Sequence, residues 1–223
     1  SPRTTPPYAR NAVIQITFSE AIDPTTVAGA ISKPENTQKK DVSKIRVREC
    51  ANTETSCPDT ATLVEGNVKI SNQYQTIEFL TSVLCGKNSC GNDVFCLPKE
   101  KTITVRAPST TPNGLSGIVD LSGNALDGNK NSTADGSPTD DKTWSFPIGT
   151  SVDLTPPTIE ETAPVNKTPG VLLDEPLRIT FSKSLMPSTF QVPAIRLESL
   201  VGGTLQAENL WRQIKTLQPN TNT

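Results

Sequence analysis

The chain has 223 residues, 21 basic against 23 acidic side chains and a formal charge of −2, so it carries no field that would steer it onto nucleic acid or an anionic membrane surface. It contains no histidine, which removes Ser-His-Asp and Cys-His catalysis and the common zinc sites. With 13 glycines, 19 prolines and abundant Thr, Ser and Asn, the composition points to short strands joined by turns, an all-β class with room for one large or two small domains.

The N-terminal Ser1-Pro-Arg-Thr-Thr-Pro-Pro lacks the basic-then-apolar order of a signal peptide, and no apolar run approaches the roughly 18 residues that span a bilayer. Any export signal is therefore expected either to be gone already or to lie upstream. Strand signals follow, short and alternating with period two, so that one face of each is buried. Ile14, Ile16 and Phe18 share a face, as do Ile45 with Val47, Val68 with Ile70, Ile77 with Phe79, Ile103 with Val105 and Ala107, and Trp144 with Phe146 and Ile148. These sets form the predicted core of a first sandwich, and Trp144 and Phe146 read as core rather than as a carbohydrate platform. Turns are marked by Asp23-Pro24, Asn113-Gly114, Ser122-Gly123-Asn124 and Asp127-Gly128.

All five cysteines fall between Cys50 and Cys96. Cys50 and Cys57 can close one short loop and two of Cys85, Cys90 and Cys96 another, leaving one thiol free or paired outside the chain. The spacing is not C-x-x-C, so disulfides are favoured over a metal or redox site. The stretch from Asp120 to Gly136 holds Asp127, Asn129, Asn131 and Asp135, hard oxygen ligands of the kind calcium takes. It is not an EF-hand, because Ser132 and Pro138 stand where that loop has its glycine and its bidentate glutamate. A loop whose Asx side chains bond their own backbone is the favoured reading and calcium the alternative; no other cofactor is expected. The acidic pairs Asp140-Asp141 and Glu160-Glu161 are poor candidates for acid–base work, since adjacent acids on a strand face opposite sides and in loops they are usually just solvated. No catalytic constellation emerges, and the expectation is a protein that is not an enzyme.

The chain repeats itself. Ile16-Thr-Phe-Ser-Glu-Ala-Ile-Asp-Pro-Thr-Thr-Val27 returns as Ile179-Thr-Phe-Ser-Lys-Ser-Leu-Met-Pro-Ser-Thr-Phe190, and Val64-Glu-Gly-Asn-Val-Lys-Ile70 as Val201-Gly-Gly-Thr-Leu-Gln-Ala207. Tyr74, Ile77 and Leu80 then fall opposite Trp211, Ile214 and Leu217, and Ile195 with Leu197 replace Ile45 with Val47. Between the matched blocks the first copy is longer, and the additional residues, including Ser32 to Ser43 and the Cys50 to Cys57 loop, are expected to decorate the surface. Ser151-Val-Asp-Leu-Thr-Pro-Pro157 reads as a semi-rigid junction, dividing the chain into 1–150 and 151–223. Ala207 to Leu217 is strand by repeat alignment and helix by the spacing of Leu210, Ile214 and Leu217.

Pro156-Pro-Thr-Ile, Ala163-Pro164, Leu177-Arg-Ile-Thr-Phe-Ser182 and Met186-Pro187, together with Ile118-Val-Asp-Leu-Ser-Gly-Asn-Ala-Leu126 and Trp144-Ser-Phe146, resemble bacterial Ig-like domains of the kind found in S-layer and other bacterial surface proteins. The resemblance implies tandem immunoglobulin-like β-sandwiches with antiparallel, Greek-key strands, in an exported protein at the cell surface or outside the cell, with no activity intrinsic to the fold. Each copy is incomplete; the favoured explanation is a fragment, or the ordered part, of a longer polypeptide, and the sharper alternative is a neighbouring chain that fills the open edge. The first lacks a counterpart to Pro157 to Glu161, and the second stops before any equivalent of Ile103 to Ala107 or Trp144 to Ile148. The expected partners are neighbouring Ig-like domains or identical subunits that supply strands, and the expected role is spacing, display or self-assembly. The alternative is an adhesin or non-catalytic binding appendage that recognises its ligand through the inserted loops.

Overall fold

Residues 7–31, 44–111, 116–172, 174–183, 185, 198–201 and 204–207 are described by a computed structural model. The chain divides into two units, Ser1–Asp153 and Leu154–Thr223. Residues 151–153 belong with the first because Arg10 N–H donates to Ser151 O (2.8 Å), while Asn11 Oδ1 accepts from Asp153 N–H (2.9 Å) and Asn11 Nδ2 donates to Asp153 O (2.6 Å).

In the first unit, β1 (Ile14–Thr17), β2 (Gly29–Ile31), β5 (Gly66–Ser71) and β6 (Thr76–Thr81) form an antiparallel sheet in the order β1-β6-β5-β2. A second antiparallel sheet, in the order β10-β9-β3-β4, joins β3 (Arg46–Ala51), β4 (Thr62–Leu63), β9 (Lys101–Ala107) and β10 (Lys142–Pro147). The registers set apolar residues opposite one another. Ile14 and Val68 flank Phe79, Ile16 and Ile70 flank Ile77, Val47 and Trp144 flank Val105, and Phe146 lies opposite Ile103. One buried cluster contains Ile14, Val68, Ile77 and Phe79 from the first sheet with Val47, Ile103, Val105 and Ala107 from the second, so the two sheets close a sandwich-like core. Trp144 and Phe146 pack against that cluster, and Tyr8 meets the Phe146 ring edge-on at 5.6 Å.

Between β1 and β2 the chain makes one helical turn, α1 (Pro24–Val27). Asp23 caps it by accepting from Thr25 N–H (2.8 Å), and Pro24 opens it where no backbone donor is needed. The hairpin of β7 (Leu84–Lys87) and β8 (Asp93–Phe95) stands apart from both sheets and is closed by the Cys85–Cys96 disulfide. The other disulfide joins Cys50 to Cys57, and Cys90 is free and exposed. Cys50 lies within β3, opposite Thr102 of β9, so only the part of that insertion beyond Ala51 leaves the sheet.

In the second unit, β11 (Ile159–Ala163) pairs with β12 (Arg178–Phe181) and β13 (Glu198–Val201) with β14 (Thr204–Ala207), both antiparallel. The matched segments of the two units pair differently. Thr62–Leu63 joins β3, whereas Glu198–Val201, which the repeat sets opposite residues 61–64, forms a hairpin with β14. Ser32 to Ser43, Asn113-Gly114, Met186-Pro187, Ile195, Leu197, and Ala207 to Leu217 beyond Ala207 lie outside the described residues.

Ile103 is fully buried between the sheets. Ile103→Ala should lower the unfolding free energy by about 2–5 kcal/mol, read as a fall in the urea midpoint with little change in slope.

Candidate functional site

Period-two alternation puts Val47, Ile103 and Val105 into the core and leaves their neighbours facing outward. Those neighbours are Arg46 and Arg48 on β3, Thr102, Thr104 and Arg106 on β9, and Thr143 and Ser145 on β10, with Arg46 opposite Arg106 and Arg48 opposite Thr104. Three guanidinium groups thus share one face of one sheet.

The chain between β3 and β4 arches back over this face and is pinned at each end. The Cys50–Cys57 disulfide closes the arch, Thr102 Oγ1 donates to Glu54 O (2.8 Å), Cys57 N–H donates to Thr104 Oγ1 (2.7 Å), and Arg48 Nη1 donates to Ala61 O (2.9 Å). Pro58 and Asp59 are thereby held beside the arginines. Arch and sheet enclose a cleft of about 390 Å³, lined by Arg46, Arg48, Arg106, Asp59, Asp141 and Thr104 among others.

Two carboxylates enter this cleft on unequal terms. Asp141 is 4 % exposed and firmly held: its Oδ2 accepts from Arg106 Nε (2.6 Å) and Nη2 (2.5 Å), its Oδ1 from Ser109 N–H (2.8 Å). Asp59 is 71 % exposed and reaches Arg106 Nη1 with both oxygens (3.1 and 2.9 Å). Its Oδ1 lies 3.9 Å from Arg48 Nε, near enough for charge attraction and too far for a hydrogen bond. Arg48 Nε is itself buried without a hydrogen-bond acceptor. An exposed pair such as Asp59–Arg106 contributes roughly 0–1 kcal/mol, so Asp141 is part of the fold while Asp59 is replaceable.

The arginines respond to these surroundings in opposite senses. Burial lowers the Arg48 pKa from its ordinary value; Asp59 works against this, and the charges of Arg46 and Arg106 add to it. Burial also opposes the charge on Arg106, but the hydrogen bonds and charges of Asp141 and then Asp59 outweigh it and hold this pKa above its ordinary value. Nothing in the sequence singles out this cleft directly. The available signal was the Arg46-x-Arg48 spacing on a strand, which puts both side chains on one face.

The predicted oxygen ligands lie elsewhere, in the loop before β10. Asp127 Oδ1 accepts from Lys130 N–H (2.6 Å) and Oδ2 from Ser132 N–H (2.9 Å), Asn129 Oδ1 accepts from Asn131 N–H (2.9 Å), and Asn131 Oδ1 accepts from Thr133 N–H (2.8 Å). Asn131 Nδ2 donates to Asp135 Oδ2 (2.7 Å) and Asn129 Nδ2 to the buried Asp140 Oδ1 (2.9 Å). Nearly every oxygen that calcium would need is turned toward an N–H donor, the arrangement of Asx turns. Among the described residues no group of three or more His, Cys, Asp or Glu side chains is placed to hold a metal ion, and no helix is long and apolar enough to cross a membrane. The neighbouring turn is organised by Asp120, whose Oδ1 accepts from Ser122 N–H and Asn124 N–H (both 2.8 Å) and whose Oδ2 accepts from Asn124 Nδ2 (2.7 Å). Gly123 supplies the left-handed residue there, at φ +87°.

No protein-family model matches the chain, and comparison with curated proteins and with solved structures likewise found no match.

Asp120 generates a pH prediction. The Asn124 side chain holds its carboxyl below the ordinary range, against the opposing effect of burial and with help from the Asn124 and Ser122 N–H groups. A depressed folded-state pKa means the ionised group favours the fold, fully so above the unfolded value of about 3.9 and progressively less as pH falls through the folded value. Asp120→Asn should therefore lower Tm at neutral pH, and the gap from wild type should close as the melts are taken below about pH 4.

Proposed function

We propose that this chain is a structural segment of an exported bacterial surface or fibre-forming protein, built from tandem immunoglobulin-like β-sandwich units, whose work is spacing, display or self-assembly by strand exchange between copies. Two short-range disulfides suit an oxidising compartment outside the cytosol. The paired antiparallel sheets of the first unit and their common core suit the sandwich reading.

The observation that carries the assembly reading is in the second unit. Leu177, Ile179 and Phe181 alternate along one face of β12 and its approach, and Ile159 lies opposite Phe181. Of these, Ile159 is 59 %, Leu177 61 % and Ile179 41 % exposed. A two-stranded pair is marginal in water by itself, and apolar strands left uncovered recruit further strands. A neighbouring copy is the occupant that fits a repeated module.

Sedimentation across a concentration series should show this chain associating, and Ile179→Glu should move the association to at least about tenfold higher concentration. A monomer throughout the series would sink the assembly reading.

The arginine cleft favours a second reading, a binding appendage that recognises its ligand at the Cys-bearing arch, because Cys57, Pro58 and Asp59 form its rim. On arrays of glycans and matrix proteins, wild type should bind a ligand that is lost when Pro58-Asp59-Thr60 is exchanged for Gly-Ser-Gly. Binding unchanged by that exchange would count against recognition at the arch.

A further inference from the structure

The first unit carries a contact surface of its own, separate from the uncovered strands of the second. We propose that the outer edge of β10 pairs antiparallel with the same edge of a second copy of this chain, about a two-fold axis at Trp144, so that two four-stranded sheets join into one.

β10 lies at the end of its sheet, beside β9. One bond sets the direction of its backbone groups: Ile148 N–H donates to Lys101 O (2.8 Å). Alternate residues of an antiparallel strand turn the same way, so Lys142, Trp144 and Phe146 bond toward β9 while Thr143, Ser145 and Pro147 turn outward. Pro147 O is already engaged, accepting from Tyr8 N–H (2.9 Å). The backbone N–H and C=O groups of Thr143 and Ser145 have no partner among the described residues. Lys142 and Thr143 are exposed, and Trp144 and Phe146, which pack against the core, are only half-buried along this side.

The edge also lacks the devices by which exposed strands avoid pairing. Its register against β9 is unbroken over Lys142–Pro147, and Thr143-Trp144-Ser145-Phe146 contains neither charge nor proline. By contrast, β2 and β4, at edges of the same sandwich, have three and two residues, and the β7–β8 hairpin carries a register shift between Leu84 and Gly86.

The bounds of the open stretch select its partner. A row of unpaired N–H and C=O groups is matched by another strand. The stretch ends at the Tyr8 contact on one side and, on the other, at Asp141, which Arg106 and Ser109 hold. What remains, Lys142 to Phe146, is centred on Trp144, and a second copy presents the same residues reversed. In that register Thr143 exchanges both backbone bonds with Ser145 of the second copy, and Ser145 does so with Thr143 of the second copy. Trp144 faces its own image, and each Lys142 falls opposite a Phe146, which keeps the like charges apart. Such a contact uses one patch on both copies and closes at a dimer.

The test uses the intact chain carrying Ile179→Glu, which suppresses association through the second unit, and Cys90→Ser, which removes the free thiol. Sedimentation should show a residual association at higher concentration that stops at a dimer. Thr143→Pro deletes an outward N–H without touching the β9 ladder and should weaken this dimer at least about tenfold, whereas Thr143→Val, which keeps that N–H, should change it less than about threefold. The register is read by mixing chains that carry Thr143→Cys with chains that carry Ser145→Cys under oxidised glutathione, which is reduced to two thiols as each interchain disulfide forms. Opposite residues lie about 5.5 Å apart at Cα, within disulfide reach, and like residues lie on a diagonal of about 7–8 Å. The mixture should therefore crosslink at least about tenfold faster than either variant alone. A monomer throughout the series, growth past a dimer, a dimer indifferent to Thr143→Pro, or equal crosslinking in the unmixed samples overturns the proposal; where Thr143→Pro does not fold, the crosslinking pattern decides. A monomer in this background, with wild type still associating, removes the β10 contact and leaves assembly through the second unit. Association that ignores Ile179→Glu and is lost with Thr143→Pro supports the β10 contact and removes the other.

Discussion

The pairing register of β3 with β9 is the constraint on which both core and cleft depend. Val47 opposite Val105 and Glu49 opposite Ile103 fix which residues turn inward, and the same register fixes Arg46 beside Arg106 and Arg48 beside Thr104 on the other side. A slip of one residue would drive the guanidinium groups between the sheets and put Val47 in water. Burying unpaired charge costs far more than any surface ion pair returns. The arrangement of arginines is therefore held by the hydrophobic core behind it, and its geometry needs little contribution from the groups in the cleft.

Away from the core, acidic side chains do the organising. Asp120, Asp127, Asp140 and Asp141 each accept backbone or amide N–H groups, so hydrogen bonds hold much of the long connection between β9 and β10, alongside Ile118, which is buried in the core, and Leu126, which packs against it. The buried Asp140 is satisfied by Asn129 Nδ2 and Gly136 N–H (2.8 Å), while the bond from Ser109 N–H to Asp141 Oδ1 (2.8 Å) joins the two ends of that connection. The oxygen-rich composition that suggests a cation site in the sequence is the same composition that builds consecutive Asx turns, and only the direction of the N–H groups separates the two.

Much of the first unit was legible because its strands alternate cleanly. Ile14, Ile16, Val68, Ile70, Ile77, Phe79, Ile103 and Val105 face inward as their spacing indicates. The short strands were harder: Leu84–Lys87 and Asp93–Phe95 carry no apolar alternation, and their hairpin stands on a disulfide and the Lys87–Asp93 pair (2.7 Å). The turn from β5 to β6 was also silent, since Asn72, Gln73 and Tyr74 all take positive φ without a glycine to announce it. The cleft was illegible for a different reason. Arg46, Arg48, Asp59, Arg106 and Asp141 are far apart in the chain, and only strand register and the path of the arch bring them together.

Asp59 is a tethered competitor, and tethering converts its weak contact into a threshold. Because the disulfide-closed arch keeps this carboxylate next to Arg106, a dissolved anion must match an effective local concentration of roughly millimolar or higher before it occupies the guanidinium.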